Sequence, residues 1–199
     1  MIPIRDLSEM FHRPLKSAAA FGIRAAMRLC RIEIFPIKSL DGIALETARI
    51  TPGGILEKDR VFAIKDADGK VVNGKRTARV HQLRCAFDPG INEVRLWQGS
   101  ESPVQFPLDD PGSMSGWLSD FFGFPVGLHH EAEKGFPDDR EAFGPTIVSE
   151  ASLAAIRQWF PELTLESIRR RFRANLELDV QVSVLTFDTF PVSTFSPHF

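Results

Sequence analysis

The residues best suited to chemistry are cationic and unevenly placed. Lys38-Ser39 follows an apolar run, Asp59-Arg60 precedes another, and Arg169, Arg170, Arg171 and Arg173 crowd into five positions. Arginine donates hydrogen bonds in a planar fork that matches phosphate oxygens, and lysine adds a compact positive charge. Ser39 and Ser149 add neutral hydroxyl donors, and Asn175 an amide. Each of these charges alone reads as a solvated surface group. Their joint pattern points to a held anion.

Other constellations carry less. His129-His130-Glu131 suggests a metal site, but adjacent histidines in a strand face opposite ways, so a solvated loop is the expected state. Asp109-Asp110 and Asp138-Asp139 are loop carboxylates with no acid/base partner visible in the sequence. Ser149 lacks the glycine-flanked elbow of a nucleophilic serine. Cys30 and Cys85 are too few for a disulfide framework and lack structural-zinc spacing, so both are expected to be inert thiols in a reducing cytoplasm.

The elements that must position these groups are mostly short strands. Residues 1–30, with Arg5, Arg13, Lys16, Arg24 and Arg28 among alanines, are expected as a basic extension with a helix from about Leu15 to Cys30. From Arg31 a β-rich domain is expected to run to residue 128, with strands at Ile32–Ile37, Leu45–Ile50, Val61–Lys65, Lys70–Val72, Arg84–Phe87, Glu93–Trp97 and Val104–Phe106. Gly69 should close one hairpin. The spacing suits an antiparallel sheet or small barrel better than βαβ units. A helix is predicted over Ser113–Phe122, where Met114, Trp117, Leu118 and Phe121 share one stripe.

Residues 129–144 are polar and rich in Gly and Pro, hence a linker. Residues 145–199 form a second region, with a strand at Thr146–Val148, a helix capped by Ser149 or Ser152 and stopped by Pro161, and a strand at Asn175–Asp179 that Ile168–Arg173 leads into. Val180–Phe199 holds one charged residue, Asp188, which reads as an unfinished domain with an open strand edge. The fold class is therefore mainly β with some helix, α+β.

Composition narrows the partners. A chain of 199 residues with net charge -2 and pI near 6.2 is not built to bind nucleic acid over its whole surface. The longest apolar stretch, Ala18–Ala26, is interrupted by Arg24, so no membrane span is expected. A small-molecule ligand, met in the cytoplasm, is the expected partner.

Two motifs in order carry a family resemblance. Phe35-Pro36-Ile37-Lys38-Ser39-Leu40-Asp41-Gly42, with Gly54 and Asp59-Arg60, resembles the opening of the MOSC N-terminal β-barrel domain. Ile147-Val148-Ser149-Glu150-Ala151-Ser152-Leu153, with Arg171-Phe172-Arg173-Ala174-Asn175, resembles the start of the MOSC domain itself. The group includes the amidoxime-reducing proteins and the C-terminal part of molybdenum-cofactor sulfurases.

The resemblance implies two β-barrel-like halves around a molybdenum cofactor (molybdopterin). Lys38, Ser39 and Arg60 would come from the first half and Ser149, Arg173 and Asn175 from the second. It also implies reduction of N-hydroxylated compounds, with an electron-donor protein as partner. Two departures stand out: Ala174 replaces the usual proline, and no cysteine follows Cys85 to offer molybdenum a thiolate. A second domain that is incomplete, and a chain that is a catalytically inactive fragment or a non-catalytic binding or sulfur-carrier module, therefore remain as the alternative.

Overall fold

The computed structural model describes residues 23–139 and 144–184. Its organising element is a long antiparallel pair. Strand β1 (Ile23–Ile34) lies against strand β9 (Leu176–Val184). In β9 apolar Leu176, Leu178 and Val180 alternate with Glu177 and Asp179, the period of a strand with one face inward. The register sets Leu29 opposite Leu178 and Met27 opposite Val180, apolar on apolar, while Arg28 opposes Asp179 and pairs with it at 3.5 Å.

A β-bulge between Leu29 and Arg31 then leaves Cys30 as the extra residue. The bulge moves the apolar parity of β1 from odd positions to even ones, so that Ile32 and Ile34 are buried. The expected helix over Leu15–Cys30 is thus corrected from Ile23 onward, where pairing with a distant strand overrides alanine's helical preference. The rest of that helix, and the tail after Val184, lie outside the described residues.

Three sheets surround one core. The first has the order β2-β1-β9-β8, with β2 (Ile43–Leu45) antiparallel to β1 and β8 (Ile147–Ser149) parallel to β9. The parallel step is made by α2 (Glu150–Trp159) and α3 (Leu165–Phe172), so the strand, helix and strand expected after residue 145 close as one βαβ unit with a second helix in its crossover. The second sheet pairs β3 (Phe62–Asp66) with β7 (Val126–His130), and the third is a meander of β4 (Leu83–Phe87), β5 (Glu93–Gln98) and β6 (Val104–Pro107). Helix α1 (Ser115–Phe122) seats Leu118 and Phe121 in the core and ends at Gly123, whose φ of 79° forms the left-handed cap. Ile34, Ile37, Leu40, Ile64, Leu96 and Met114 are all almost fully buried in that core.

Several boundaries differ from expectation. The Leu45–Ile50 strand is only Ile43–Leu45, and Lys70–Val72 contributes a bridge at Val71 to Lys65 instead of a strand, although Gly69 does turn the hairpin at φ 75°. His129 and His130 belong to β7, not to a linker, and point to opposite sides as paired neighbours do. His130 stacks on Phe62 at 4.5 Å. The second region shares a sheet with the first through β1 and β9, and β1 itself crosses the expected boundary at residue 31. No helix among the described residues is long and apolar enough to cross a membrane.

Candidate functional site

Three chain segments meet beside the exit of β1. Phe35 leaves the strand and its amide donates to Asp59 Oδ1 at 2.8 Å, while the Arg60 amide donates to the Phe35 carbonyl at 2.9 Å. Lys38 N donates to the Phe62 carbonyl at 2.8 Å, which fixes the Lys38-Ser39 turn against the start of β3. The third segment is the end of α3, where Arg173 is the left-handed C-cap and its amide returns to the Arg169 carbonyl.

The backbone at this junction is strained. Ser39, Arg60 and Arg173 have φ of 72°, 52° and 54°, and only Lys58 and Ile91 join them as positive-φ non-glycine residues among the described ones. Such a conformation costs an L-residue roughly 1–2 kcal/mol and collects where function or tight geometry demands it.

Beneath the surface the polar groups form a closed layer. Arg60 donates through Nη1 to Asp59 Oδ2 and, at 3.2 Å, to Asn175 Oδ1, and through Nη2 to the Arg173 carbonyl at 3.4 Å. The Asn175 amide nitrogen donates to the Glu33 carbonyl at 3.0 Å and to Asp59 Oδ1 at 3.1 Å. Its oxygen also accepts from the Thr146 amide and hydroxyl, each at 3.1 Å. Asn175 is 1% exposed and engaged on both amide atoms by the protein. It joins segments more than 100 residues apart and does not line the cleft above.

That cleft has a volume of about 920 Å³. Lys38, Ser39, Arg84 and Arg173 form its more buried wall, and Lys75, Arg170 and Arg171 its exposed rim. Against these cations stand Asp41, which accepts from Arg84 Nε at 2.6 Å, and Asp138. In a chain of net charge -2, this excess of cations in one concavity gives the cleft a local positive potential.

Two guanidinium groups share the Phe35 ring: Arg173 Cζ lies 4.2 Å from its centroid and Arg60 Cζ 5.1 Å. Arg173 also donates to the Leu40 carbonyl. Burial first, then the like charge of Arg60, lowers the Arg173 pKa to about 10, so it is still cationic at neutral pH and an added anion would favour that charge.

The sequence-selected residues separate into three groups. Lys38, Ser39 and Arg173 line the cleft, Arg60 and Asn175 lie in the layer beneath it, and Ser149 stands elsewhere. Ser149 caps α2, accepting from the Ser152 amide at 3.0 Å. Sequence reasoning missed Asp138, whose carboxylate meets Lys38 Nζ at 2.9 Å and Arg60 Nε at 3.7 Å. Partial burial opposes ionisation of Asp138, but the Lys38 hydrogen bond and the charges of Lys38, Arg60 and Arg173 prevail and hold it below the ordinary carboxylate range. No local signal marks Asp138, since its partner Lys38 is 100 positions away in the chain.

Residues 25–120 match the family model of the MOSC N-terminal beta barrel domain. The chain carries a MOSC N-terminal β-barrel domain. No curated protein matches the chain. The MOSC N-terminal domain supplies Lys38, Ser39, Asp59 and Arg60, while Asp138, Arg173 and Asn175 lie beyond the matched residues, so the site is built from both parts of the sequence.

The MOSC family is associated with the molybdenum cofactor, and the donor set can be tested against it. A cationic wall with a hydroxyl beside it fits the phosphate and polar edges of a pyranopterin. The thiols fit less well. Cys85 lies behind the wall, with its Sγ against the Asp41 carbonyl at 3.4 Å, and burial and the Asp41 charge push its pKa far up. Cys30, at the β1 bulge, is also raised by desolvation, and neither thiol lines the cleft.

Proposed function

We propose that this chain binds a phosphorylated pterin of the molybdenum-cofactor type in the cleft between the β1 exit and the end of α3. The observation that carries the reading is the convergence of Lys38 and Arg173 on one concavity, with Arg60 directly beneath. Arg173 and Lys38 would hold the phosphate. The Ser39 hydroxyl would hydrogen-bond a polar edge of the pterin, and Arg170 and Arg171 would draw the anion in by long-range attraction.

When bound, the cofactor would supply two-electron oxygen-atom chemistry on substrates such as N-hydroxylated compounds. The chain's own residues bind and orient it: Arg60 and the Thr146 hydroxyl both donate to the Arg173 carbonyl and hold that segment in its strained form, and the core beneath keeps the wall rigid. A non-catalytic binding role is the second reading. It is favoured by the buried, protonated state of Cys85, which offers no thiolate to a metal or to a sulfur-transfer step.

The test is expression of the full chain in a bacterial host that makes molybdopterin, followed by release of pterin on denaturation and its detection by fluorescence. Wild-type protein should carry pterin, and the double variant Arg170→Glu/Arg171→Glu should carry at least about ten-fold less at an unchanged melting temperature, because exposed charges contribute little to stability. Wild-type protein free of pterin, or a double variant loaded equally, removes the reading.

A further inference from the structure

The ammonium of Lys38 has three protons to donate, and the segment Phe136–Asp138 takes all three. Lys38 Nζ contacts the Phe136 carbonyl at 3.0 Å, the Pro137 carbonyl at 2.8 Å and Asp138 Oδ1 at 2.9 Å. An anion that binds Lys38 must therefore displace one of these partners. Asp138 is the one most easily given up. Its side chain is 72% exposed, and its second oxygen lies 3.7 Å from Arg60 Nε, beyond hydrogen-bond range.

The preceding residues are fixed more firmly. Gly135, at φ 59°, sits so close to the Arg60 carbonyl that a Cβ would come within 2.9 Å of it. The Phe136 amide donates to that same carbonyl at 2.7 Å, and Lys65 Nζ lies 4.7 Å from the Phe136 ring centroid. The anchor thus ends just before the carboxylate, and exchange at Asp138 does not require the whole segment to leave. The cleft's other lining carboxylate, Asp41, is bound on one oxygen by Arg84 Nε and by the Cys85 amide, so it is held in the wall.

We propose that Asp138 is an internal competitor that decides which anions the cleft accepts, admitting phosphate-class dianions and turning away carboxylates. This rests on the reading of the cleft as an anion site and adds its selectivity. A carboxylate ligand offers Lys38 and Arg60 only what Asp138 already gives, and it bears an association cost that the tethered group, present at an effective concentration of order mM, does not. A tetrahedral dianion brings a second charge and more acceptor atoms, enough to engage Lys38 and Arg173 together. Asp138 enters this competition ionised, because its cationic neighbours hold its pKa low.

The experiment is calorimetric titration of the full chain with sulfate and with acetate at fixed ionic strength and neutral pH, in wild type and Asp138→Asn. Sulfate should bind the wild type and bind Asp138→Asn about ten-fold more tightly, the scale of one like charge removed near a surface. Acetate should register only with the variant. Equal affinities in both proteins overturn the proposal and leave the anion site standing. Absence of sulfate binding in both overturns the site and the proposal together.

Discussion

Two groups of charges lie one above the other at the exit of β1 and behave in opposite ways. In the lower layer Asp59, Arg60 and Asn175 hydrogen-bond one another, the backbone and Thr146, and all three are nearly closed to solvent. In the upper one, Lys38 and Arg173 face a wide cleft and Lys38 shares a carboxylate that water reaches. Partners that cannot be replaced make a charge part of the fold, and partners that can make it part of a binding site. The contrast is broken most directly by Asp59→Ala, which leaves the Arg60 guanidinium buried without its main counter-charge and the Phe35 amide without its acceptor. It should destabilise the protein by about 3–5 kcal/mol in urea unfolding, whereas Lys38→Met, which frees two backbone carbonyls and the exposed Asp138, should cost only about 1–2 kcal/mol. Similar losses in the two variants would abolish the distinction.

Cys85 tests where the dividing line runs, because it belongs to the buried side yet touches the cleft residue Asp41. Its folded pKa is raised, by burial and then by Asp41, over an unfolded value of about 8.5. The folded state therefore keeps a proton that the unfolded state releases. The resulting stabilisation is whole below about pH 8.5 and is lost as pH climbs above it, at up to about 1.4 kcal/mol per pH unit. Arg173, lowered to about 10, acts in the opposite sense above that pH, so the window to measure is the one beneath it. The chain has no tyrosine to blur this alkaline slope. Urea unfolding between pH 8.5 and 10 should show the decline in wild type and a flatter profile in Cys85→Ala; parallel profiles would place Cys85 in contact with solvent.

Much of the lower layer was legible as residue types but not as roles. Arg60, Arg173 and Asn175 stand out as a fork-and-amide set, yet nothing local says that Asn175 spends both amide atoms on its own protein, because its partners Glu33 and Asp59 are more than 100 positions away. The same distance hid β1. Its alternation is real, but the bulge at Cys30 reverses its phase and the partner strand arrives only at Leu176. Helix α3 did have a signal, in Thr164, whose hydroxyl accepts from the Ser167 amide, and in Leu165, Ile168 and Phe172 at helical spacing. Four arginines in that stretch drew attention to charge instead. What read correctly was what local chemistry decides: the Gly69 turn, the α1 stripe and the Ser149 cap.

That last residue gives the smallest and sharpest test of the contrast. Ser149 has the hydroxyl expected of a cofactor contact, but the structure directs it to the first turn of α2, where it accepts from the Ser152 amide and lies 2.8 Å from the Ser152 hydroxyl. Ser149→Ala removes the acceptor and leaves that amide to water, at a cost of about 1 kcal/mol. Sulfate affinity should stay within about two-fold, since the cap interaction is confined to one helix end and carries no charge into the cleft. A loss of anion binding larger than the loss of stability would mean that the α2 N-terminus reaches the ligand. The division between groups that hold the fold and groups that hold the anion would then have to be drawn through α2 as well.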